Sequence, residues 1–318
     1  MVGLELLLAW GLDLWLGDPP TWPHPVRGLG WVINVLEAPL RKIFPQARQA
    51  GIALAAIVVL VSVGLVLTLQ CLASRIHPAL GFICSVFLIY LALSVKDLAD
   101  HAQAVYQPLV RGELPAARLA LSRIVGRDTA NLSEPEIIRA TVETIAENTV
   151  DGIISPLVYA ALGGPGLAWG YKAVNTLDSM VGYPWGRYQE YGWASARLDD
   201  VLNWLPARLG GVWLALAAML IGLNGRRSWE VCWRDGRKHP SPNAGFPEAA
   251  MAGALGLQLG GLSSYGGQQV NKPSLGDDGR DPELGDIVQA LRLLNAVSVL
   301  TVLGLTLLSV LINFMLTR

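Results

Sequence analysis

The sequence contains few charged residues for its length. Only 15% of its 318 residues are Asp, Glu, Lys or Arg, whereas a soluble domain carries about 25%. Hydrophobic residues make up 52%, and the mean hydropathy is +0.41. A formal net charge of −1 leaves no basic surplus, so the composition does not indicate binding to nucleic acid. We therefore predict a membrane protein that has no nucleic-acid partner.

Cysteines and nucleotide-binding motifs are also scarce. Cys71 and Cys84 lie in apolar runs and Cys232 lies in a basic loop, without a CxxC or Cys/His cluster. This spacing excludes a disulfide framework and argues against structural zinc. The nearest approach to a P-loop is GLAWGYK at 166–172, where an extra residue separates the last glycine from the lysine. Any nucleotide site is therefore not of the Walker type.

Several apolar runs are long enough to cross a bilayer, which needs roughly 20 residues. We predict spans at 52–72, 77–95, 209–224 and 293–316, and a hydrophobic N-terminal helix at 1–16 that lacks the basic start and cleavage site of a signal peptide. Residues 152–171 and 249–263 are ambiguous, because their many small residues suit broken or closely packed helices. The expected fold is an all-α polytopic membrane bundle. We expect a single domain, 1–318, with four to six membrane segments, polar cytoplasmic loops and at least one broken or re-entrant segment. The polar segments 96–150 and 172–208 are expected to carry the active site.

A proline- and glycine-rich stretch follows the N-terminal helix at 17–33, and we predict an irregular loop there. Asp18, His24 and Arg27 fall in this loop. One interpretation is an interfacial turn in which Trp22 and Trp31 lie at the level of the lipid headgroups. The other is an anion-binding loop with His24 and Arg27 facing a substrate.

The first of two polar blocks covers residues 126–152. Ser133 and Glu136 have the spacing of a capping box, which predicts that a helix begins there. Glu136, Arg139, Glu143 and Glu147 form one stripe of this helix. They are either a solvated surface with an Arg139–Glu143 pair, or part of a Mg²⁺ site made by Glu143, Glu147 and Asp151. Neighbouring polar residues support the metal interpretation: Arg127, Asp128, Thr129 and Asn148.

The second polar block covers 171–183 and 197–210. Lys172, Asn175 and Ser179 share a helical face with Asp178 on its flank, while Asp199 and Asp200 lie within a turn of Asn203. Charged groups beside apolar segments are costly, so they are usually functional or paired. The structural alternatives are Lys172–Asp178 and Arg197–Asp199 salt bridges. Acidic pairs accompanied by Lys and Arg favour metal-bound phosphate chemistry.

Basic residues predict the orientation. Arg41, Lys42 and Arg48 precede the first firm span, and residues 226–238 form a basic loop, so both regions are expected on the cytoplasmic side together with 96–150. If 152–171 and 209–224 both cross, the two polar blocks face opposite sides of the membrane. We therefore favour a broken, cavity-lining segment at 152–171. Residues 264–286 are predicted to be a flexible polar loop, in which Lys272 is a weak phosphate-binding candidate.

Six motifs together resemble a known family. They are GDPPTWPHPVRGLGWVI (17–33), GRDTANL (126–132), ETIAENTVDGIISPLVY (143–159), GGPGLAWGYKAVNTLDSMVGY (163–183), RLDDVLNWLPARLG (197–210) and SPNAGFPEAAMAGALG (241–256). In this order they are similar to the cobalamin-biosynthesis membrane family of cobinamide-phosphate synthases. The resemblance implies an ATP- and Mg²⁺-dependent ligase of the cell membrane with its active site facing the cytoplasm. It would join adenosylcobyric acid to aminopropanol phosphate, or aminopropanol, and give adenosylcobinamide phosphate.

The resemblance also suggests roles for the polar residues. Residues expected to bind metal or to act in acid–base catalysis are Glu143, Glu147, Asp151, Asp178, Asp199 and Asp200, with His24 as an alternative base. The expected metal ligands among them are Glu143, Glu147, Asp199 and Asp200. Substrate or ATP binding is expected of Asp18, Arg27, Arg127, Asp128, Thr129, Asn148, Lys172, Asn175, Arg197, Asn203 and Asn243. Trp22, Trp31 and Trp169 would accept the corrin ring. Membrane lipid, a second copy of the chain and later membrane enzymes of the cobalamin pathway are the other expected partners.

Two alternatives come from other functional classes. A membrane prenyl- or phospho-alcohol transferase would also place two Asp-containing motifs beside membrane spans. However, the Asp199-Asp200 motif ends in Asn203 where an aspartate-rich prenyl site has Asp, and no DGxxAR pattern begins at Asp151-Gly152. A regulatory or transport protein without catalytic activity is the second alternative.

Overall fold

The computed structural model describes residues 2–19, 24–183, 185–277 and 279–316. In this part of the chain, long helices are followed late in the sequence by one β-hairpin. The helices are α1 (Val2–Leu16), α2 (Pro25–Ile43), α3 (Ala47–Ile76), α4 (Pro78–Tyr90), α5 (Val95–Val110), α6 (Leu114–Leu121), α7 (Glu134–Thr149), α8 (Ser155–Val181), α9 (Trp193–Leu202), α10 (Trp204–Leu220), α11 (Gly225–Asp235), α12 (Gly245–Leu255) and α13 (Leu284–Leu316). A π-helix (Val150–Ile154) joins α7 to α8, and the hairpin strands are β1 (Leu259–Tyr265) and β2 (Gln268–Leu275).

Within the described residues, four helical stretches are long and apolar enough to cross a membrane: Ala47–Ile76, Pro78–Val110, Glu134–Val181 and Leu284–Ile312. A fifth results if α9 and α10, which meet at a bend of 46°, count as one span. The predicted all-α polytopic membrane fold is thus confirmed. The predicted span at 52–72 lies inside the first of these stretches, and those at 77–95 and 293–316 overlap the second and the fourth. The predicted span at 209–224 coincides with the bent pair as far as Leu220.

The chain divides into two compact units, each assembled from separate stretches of sequence. Unit 1 comprises Met1–Ser94, Ser155–Asn203 and Val302–Arg318. Its core joins α2, α3 and α8 through apolar side chains such as Ile33, Leu54 and Leu177. The α1 helix packs on α4, where the Tyr90 hydroxyl donates to the Gly17 carbonyl at 2.6 Å. The buried Trp169 indole donates to the Leu88 carbonyl at 2.7 Å, which fixes α8 against α4.

Unit 2 comprises Val95–Ile154 and Trp204–Thr301. Its centre is α12, which packs against α7, α10 and α11. The antiparallel β1–β2 hairpin adds to this group, with a register shift between Leu259 and Gly261. That the whole chain acts as a single integral membrane domain stays a prediction.

The expected irregular loop at 17–33 is wrong for its second half, because α2 begins at Pro25. Proline is tolerated at the first position of a helix, where the backbone N–H has no helical partner in any case. His24 precedes it, and its Nδ1 accepts from the Val26 amide at 3.3 Å, which caps the new helix. Arg27 therefore lies in the first turn of α2. Trp22 is outside the described residues.

At 249–263, which the sequence leaves ambiguous, the structure has a closely packed helix as far as Leu255 followed by a strand, whereas the expected loop at 264–286 is wrong for 264–275. The α12 helix ends at Leu255, where Gly256 takes a left-handed conformation with φ of +70°, as glycine commonly does after a helix. The hairpin follows at once and occupies most of the predicted loop. The alternation of polar and apolar residues on β2 covers too few residues to distinguish a strand from a polar loop.

The predicted break within 152–171 is confirmed. The π-helix precedes α8, and α8 itself is interrupted at Gly163 (φ −153°, ψ 29°) and Gly164 (φ 66°, ψ −160°). Only glycine adopts the backbone angles of Gly164 without strain. The following Pro165 cannot donate a helical hydrogen bond. The sequence GGP therefore determines where this helix changes course.

Candidate active site

Five charged or ionisable side chains come together inside unit 2 and form what we call the charge cluster: Arg127, Glu143, His239, Glu248 and Lys272. The side chains of Arg127 and Glu143 are 8% and 3% exposed, and those of His239 and Glu248 are 6% and 2% exposed. The cluster draws on the loop before α7, on α7, on the segment between α11 and α12, on α12 and on β2. Charged side chains are rarely buried to this degree unless they are paired or functional.

Both carboxylate oxygens of Glu143 accept hydrogen bonds within the protein. Its Oε2 atom accepts from the Arg127 guanidinium at 2.5 Å, and its Oε1 atom accepts from the Gly260 amide at 2.8 Å. The expected Arg139–Glu143 surface pair is wrong, since Arg139 instead donates to the Leu262 carbonyl at 3.1 Å. The interpretation of this helical face as a solvated surface therefore fails at Glu143. The capping box of Ser133 and Glu136 is confirmed.

Gly260 explains how the backbone of β1 comes so close to this carboxylate. Its φ is +85°, and a Cβ atom at this position would lie 2.3 Å from the Pro273 carbonyl oxygen. Any other residue would strain the hairpin or push it away from α7. The hairpin thus contributes a backbone donor as well as Lys272 to the cluster.

Glu248 and His239 face one another without forming a hydrogen bond, with 3.9 Å between His239 Nε2 and Glu248 Oε1. The His239 Nδ1 atom accepts from the Ser241 amide at 3.0 Å, so a neutral ring carries its hydrogen on Nε2. Among the described residues, neither His239 Nε2 nor Glu248 Oε2 has a hydrogen-bond partner. Buried polar atoms are nearly always satisfied. These two atoms therefore indicate a place where a ligand would complete the hydrogen bonding.

The surroundings shift the pKa values of these groups. Burial, followed by the Glu143 carboxylate, raises the pKa of Glu248 well above its ordinary value. Burial and the charge of Lys272 lower the pKa of His239 to about 4. Burial alone would lower the pKa of Lys272, but the carboxylate of Glu248 and other nearby acids raise it overall. At neutral pH the cluster thus holds a charged lysine and a neutral histidine beside the Glu248 carboxyl group, whose pKa is raised.

Asp128 holds the turn of the hairpin in place. Its carboxylate accepts from the Ser264 hydroxyl at 2.6 Å and from the amides of Gly266 and Gly267 at 3.1 and 2.8 Å. The loop before α7 therefore uses Arg127 for Glu143 and Asp128 for the hairpin, and both contacts position β2 and its Lys272. The predicted substrate-binding role of Asp128 stays a prediction.

The other residues predicted from the first polar block, and Asn243 from the motif at 241–256, also lie in unit 2. Thr129 is buried, Glu147 is exposed, and Asn148 donates to the Thr144 carbonyl at 3.0 Å. Asp151 is partly buried within the π-helix. Asn243 is buried and accepts from Arg208 at 3.1 Å. Among these residues, Glu147 bears on the cluster most directly, because its charge contributes to the raised pKa of Glu248.

The second polar block belongs to unit 1 as far as Asn203, which is the centre of a buried hydrogen-bond network. Its Oδ1 atom accepts from the Ser155 hydroxyl at 2.7 Å and from the Tyr171 hydroxyl at 3.0 Å, and its Nδ2 atom donates to Asp199 at 3.0 Å. Arg197 pairs with Asp200 at 3.1 Å, so the Arg197–Asp199 alternative is wrong. The network ties the end of α9 to α8.

The remaining predicted residues are also in unit 1. His24 Nε2 lies 3.4 Å from Asp18 Oδ1, and Arg27 is exposed on α2. Partly buried positions on α8 are occupied by Lys172, Asn175 and Asp178. The predicted metal ligands are therefore divided, with Glu143 and Glu147 in unit 2 and Asp199 and Asp200 in unit 1. In the described part of the chain, no group of three or more His, Cys, Asp or Glu side chains is arranged to hold a metal ion, and the metal site stays a prediction.

Sequence reasoning missed two members of the cluster, His239 and Glu248, and gave Lys272 little weight. A signal for Glu248 was present. It is the one acidic residue in SPNAGFPEAAMAGALG (241–256), a run of small and apolar residues, and an ionisable group in such a run indicates function. His239 and Lys272 lie in stretches rich in other polar residues, so nothing in the local pattern distinguishes them.

The charge cluster lies entirely within the region that matches a known family model. A model described as "CobD/Cbib protein" matches residues 6–294. The chain belongs to the CobD/CbiB family. The predicted family resemblance is confirmed, and with it a role in cobalamin biosynthesis.

Relatives of the CobD/CbiB family match almost the whole chain. The chain is 51% identical to "Cobalamin biosynthesis protein CobD" of Geobacter metallireducens, over 86% of each chain. It is 48% identical to the protein of the same name from Klebsiella pneumoniae, over 92% of this chain and 93% of the relative. It is 46% identical to "Cobalamin biosynthesis protein CbiB" of Salmonella typhimurium, over 94% and 95%. No solved structure matches the chain significantly.

Proposed function

We propose that this protein is an ATP-dependent acid–amine ligase. It would join adenosylcobyric acid to (R)-1-aminopropan-2-ol O-phosphate and give adenosylcobinamide phosphate, or join it to aminopropanol and give the corresponding amide without the phosphate. The observation that carries the proposal is the charge cluster, which places two cations beside a buried carboxyl group whose Oε2 atom has no hydrogen-bond partner among the described residues. Family membership and the resemblance of the six motifs support the choice of substrates.

The chemistry requires such a site. A carboxylate is a poor electrophile, so one of its oxygens first attacks the γ-phosphorus of ATP, most simply forming an acyl phosphate as the bond to the β-phosphate oxygen breaks and ADP leaves. The amine nitrogen then attacks the acyl carbon, the bond to the phosphate oxygen breaks, and inorganic phosphate leaves. The nitrogen must also lose protons. The protein therefore has to supply cations for the phosphates and a proton acceptor for the amine.

Lys272 and Arg127 supply the positive charge. The carboxylates that raise the pKa of Lys272 keep it charged despite its burial. Arg127 is held by its ion pair with Glu143, so its remaining N–H groups keep a fixed direction. Cations fixed in advance stabilise the charge that moves during phosphoryl transfer, which is the main contribution of a protein to that reaction.

Glu248 is the proton acceptor in this proposal. An acid or base works best when its pKa lies near the working pH, and burial together with Glu143 raises the pKa of Glu248 in that direction. The Nε2–H of a neutral His239 points toward Glu248 across 3.9 Å. The Glu248 carboxylate, beside this neutral ring, would receive the proton from the incoming ammonium group.

In this proposal, magnesium would enter the unit as an ion carried by the nucleotide. Both oxygens of Glu143 already accept from protein donors, which leaves the exposed Glu147 as the carboxylate that would hold Mg²⁺ beside the cluster. One or two carboxylates with phosphate oxygens and water make a common Mg²⁺ environment. When bound, the ion would neutralise part of the phosphate charge.

The proposed location is the inner or plasma membrane with the site facing the cytoplasm, where ATP is available. The basic residues that flank α3 at its start, Arg41, Lys42 and Arg48, favour this orientation. The corrinoid and the aminopropanol phosphate would reach the site from the same side.

The test uses the full-length protein, purified in detergent and mixed with adenosylcobyric acid, aminopropanol phosphate and Mg²⁺-ATP. We expect the corrinoid to gain the mass of one aminopropanol phosphate minus water, only when ATP is present, with ADP formed in equal amount. Release of AMP instead would replace the acyl phosphate by an acyl adenylate. Binding of the corrinoid without any product would contradict the ligase assignment and favour a carrier.

A matched pair of variants tests the role of Glu248. We expect Glu248→Gln to lower amide formation by about 10²–10⁴-fold, while corrinoid-dependent ADP release persists because activation precedes proton transfer. Glu283→Gln is the control, since Glu283 is 77% exposed in the same unit. Equal loss of ADP release and amide formation in Glu248→Gln would remove Glu248 from the amine step.

A further inference from the structure

Unit 1 contains an apolar groove of about 830 Å³ that the proposed reaction does not use. One wall is α3 from Ile52 to Val63, and the others come from α8 and α9, including Gly170 and Val201. These walls belong to stretches that are candidate membrane spans. The groove therefore opens among helices whose surroundings are hydrocarbon, and an apolar chain suits its surface.

The groove is basic at one end. Arg197 and Trp193 line it, and the guanidinium of Arg48, one helical turn before Ile52, lies 3.6 Å above the centre of the Trp193 ring. Asp200 pairs with Arg197 at 3.1 Å, yet the Arg197 side chain remains 66% exposed. Arginine and tryptophan together are typical of the boundary between hydrocarbon and headgroups. The two acids of α9 have partners of their own, since Asp200 pairs with Arg197 and Asp199 accepts from Asn203. The groove therefore offers two guanidinium groups for an anion.

The length of the groove matches one leaflet. Ile52 and Val63 are eleven residues apart on a continuous helix, which corresponds to about 16 Å, and half of the hydrocarbon core is about 15 Å. A groove that begins at a basic, aromatic end and runs this far along a span matches one lipid molecule, with its phosphate at the arginines and an acyl chain along α3. Basic pockets between membrane helices on the cytoplasmic side bind anionic headgroups in this way.

We propose that this groove is a binding site for an anionic phospholipid of the cytoplasmic leaflet. The Arg48 and Arg197 guanidiniums bind the headgroup phosphate, and one acyl chain fills the groove between α3, α8 and α9. The sequence alone suggested ATP or aminopropanol phosphate as the anion at Arg197. The apolar walls beside it select a lipid phosphate instead. The site is independent of the proposed ligase activity.

Native mass spectrometry of the full-length protein in detergent tests this site, with phosphatidylglycerol and phosphatidylcholine added in equal amounts. We expect the wild-type protein to retain one lipid with a preference for phosphatidylglycerol. Ala56→Trp and Val201→Trp fill the groove from opposite walls at exposed positions and should lose the bound lipid. Val61→Trp, which changes an exposed residue of α3 outside the groove, should retain it.

A second arm tests the headgroup and does not depend on the tryptophan variants folding. Arg197→Gln should reduce the preference for phosphatidylglycerol by about fivefold, since one surface arginine contributes roughly that factor to binding of anionic lipid. Arg226→Gln is the control, because Arg226 is also an exposed arginine paired with a nearby acid on its own helix, and it should leave the preference unchanged.

Three results would overturn the proposal. The first is retention of lipid at the wild-type level by folded Ala56→Trp and Val201→Trp. The second is an unchanged lipid preference in Arg197→Gln together with a raised KM for ATP, which would return Arg197 to nucleotide binding. The third is a wild-type dimer without lipid that Ala56→Trp converts to monomer, which would make a second copy of the chain the occupant.

Discussion

Arg127 and Glu143 are sixteen residues apart in the sequence and form a buried ion pair of 2.5 Å at the centre of the charge cluster. The pair is closed by the Gly260 amide, which donates to the second oxygen of Glu143 at 2.8 Å. The loop before α7, the helix itself and the hairpin thus meet at one carboxylate. Loss of this carboxylate would affect all three.

Replacement of Glu143 tests the energetic weight of that contact. We expect Glu143→Ala to lower the free energy of unfolding by about 3–5 kcal/mol, because it leaves the buried Arg127 charge without its partner. Glu230→Ala, which breaks the exposed pair with Arg226, should change it by less than about 1 kcal/mol. Denaturant unfolding in detergent, followed by tryptophan fluorescence, measures both. A similar small change in the two variants would contradict the structural role of Glu143.

Lys272 should affect catalysis far more than stability. We expect Lys272→Met to lower kcat/KM for ATP by about 100–1,000-fold, the usual effect of removing one preorganised electrostatic group from an active site. Lys272→Arg should recover part of the rate, since it keeps the charge with a different shape. Lys96→Met is the control, because Lys96 forms a solvent-exposed pair with Asp100 in the same unit. Wild-type kinetics in Lys272→Met would exclude Lys272 from phosphate binding.

His239 predicts a loss of stability in acid. Its pKa is about 4 in the folded protein and 6.5 in its ordinary state, so the unfolded chain binds a proton first as the pH falls. The contribution of this group to the free energy of unfolding is therefore fully present above about pH 6.5 and decreases toward pH 4, by up to ~3 kcal/mol. His239→Gln should lack this part of the pH dependence, whereas His77→Gln, at an exposed position, should retain it. Thermal unfolding between pH 7 and pH 4 compares the three proteins, and parallel curves would contradict the burial of a neutral histidine.

Asn203 should be important for stability in unit 1. We expect Asn203→Ala to cost about 1–3 kcal/mol for each buried hydroxyl that loses its acceptor, and both Ser155 and Tyr171 donate to Asn203. Asn271→Ala, at an exposed position on β2, provides the control. Thermal unfolding of the wild-type protein and the two variants measures the difference. Equal melting temperatures for the wild-type protein and Asn203→Ala would show that the hydrogen-bond network does not stabilise the fold.

Local patterns in the sequence were sufficient for much of the membrane fold. Apolar runs of about 20 residues indicated the spans because the bilayer imposes that length. Ser133 and Glu136 indicated the start of α7, and the small residues of 152–171, with GGP among them, indicated a broken helix. Each of these signals acts within a few turns of chain, and for that reason the sequence alone was enough to find it. The hairpin was missed since it depends on pairing between strands, which short polar segments do not reveal.

The sequence by itself determined that this is a membrane protein of the CobD/CbiB family with acidic and basic residues beside its spans. Only the tertiary structure decided which of those residues are buried together. Glu143 lies on a helical stripe that suits either a solvated surface or a metal site, Glu248 is more than a hundred positions away, and Lys272 is in a predicted loop. Packing of α7, α12 and the hairpin removes water from all three, and the interaction between charges grows as water is excluded. Their chemistry therefore depends on their being buried together, which no short stretch of the sequence can show.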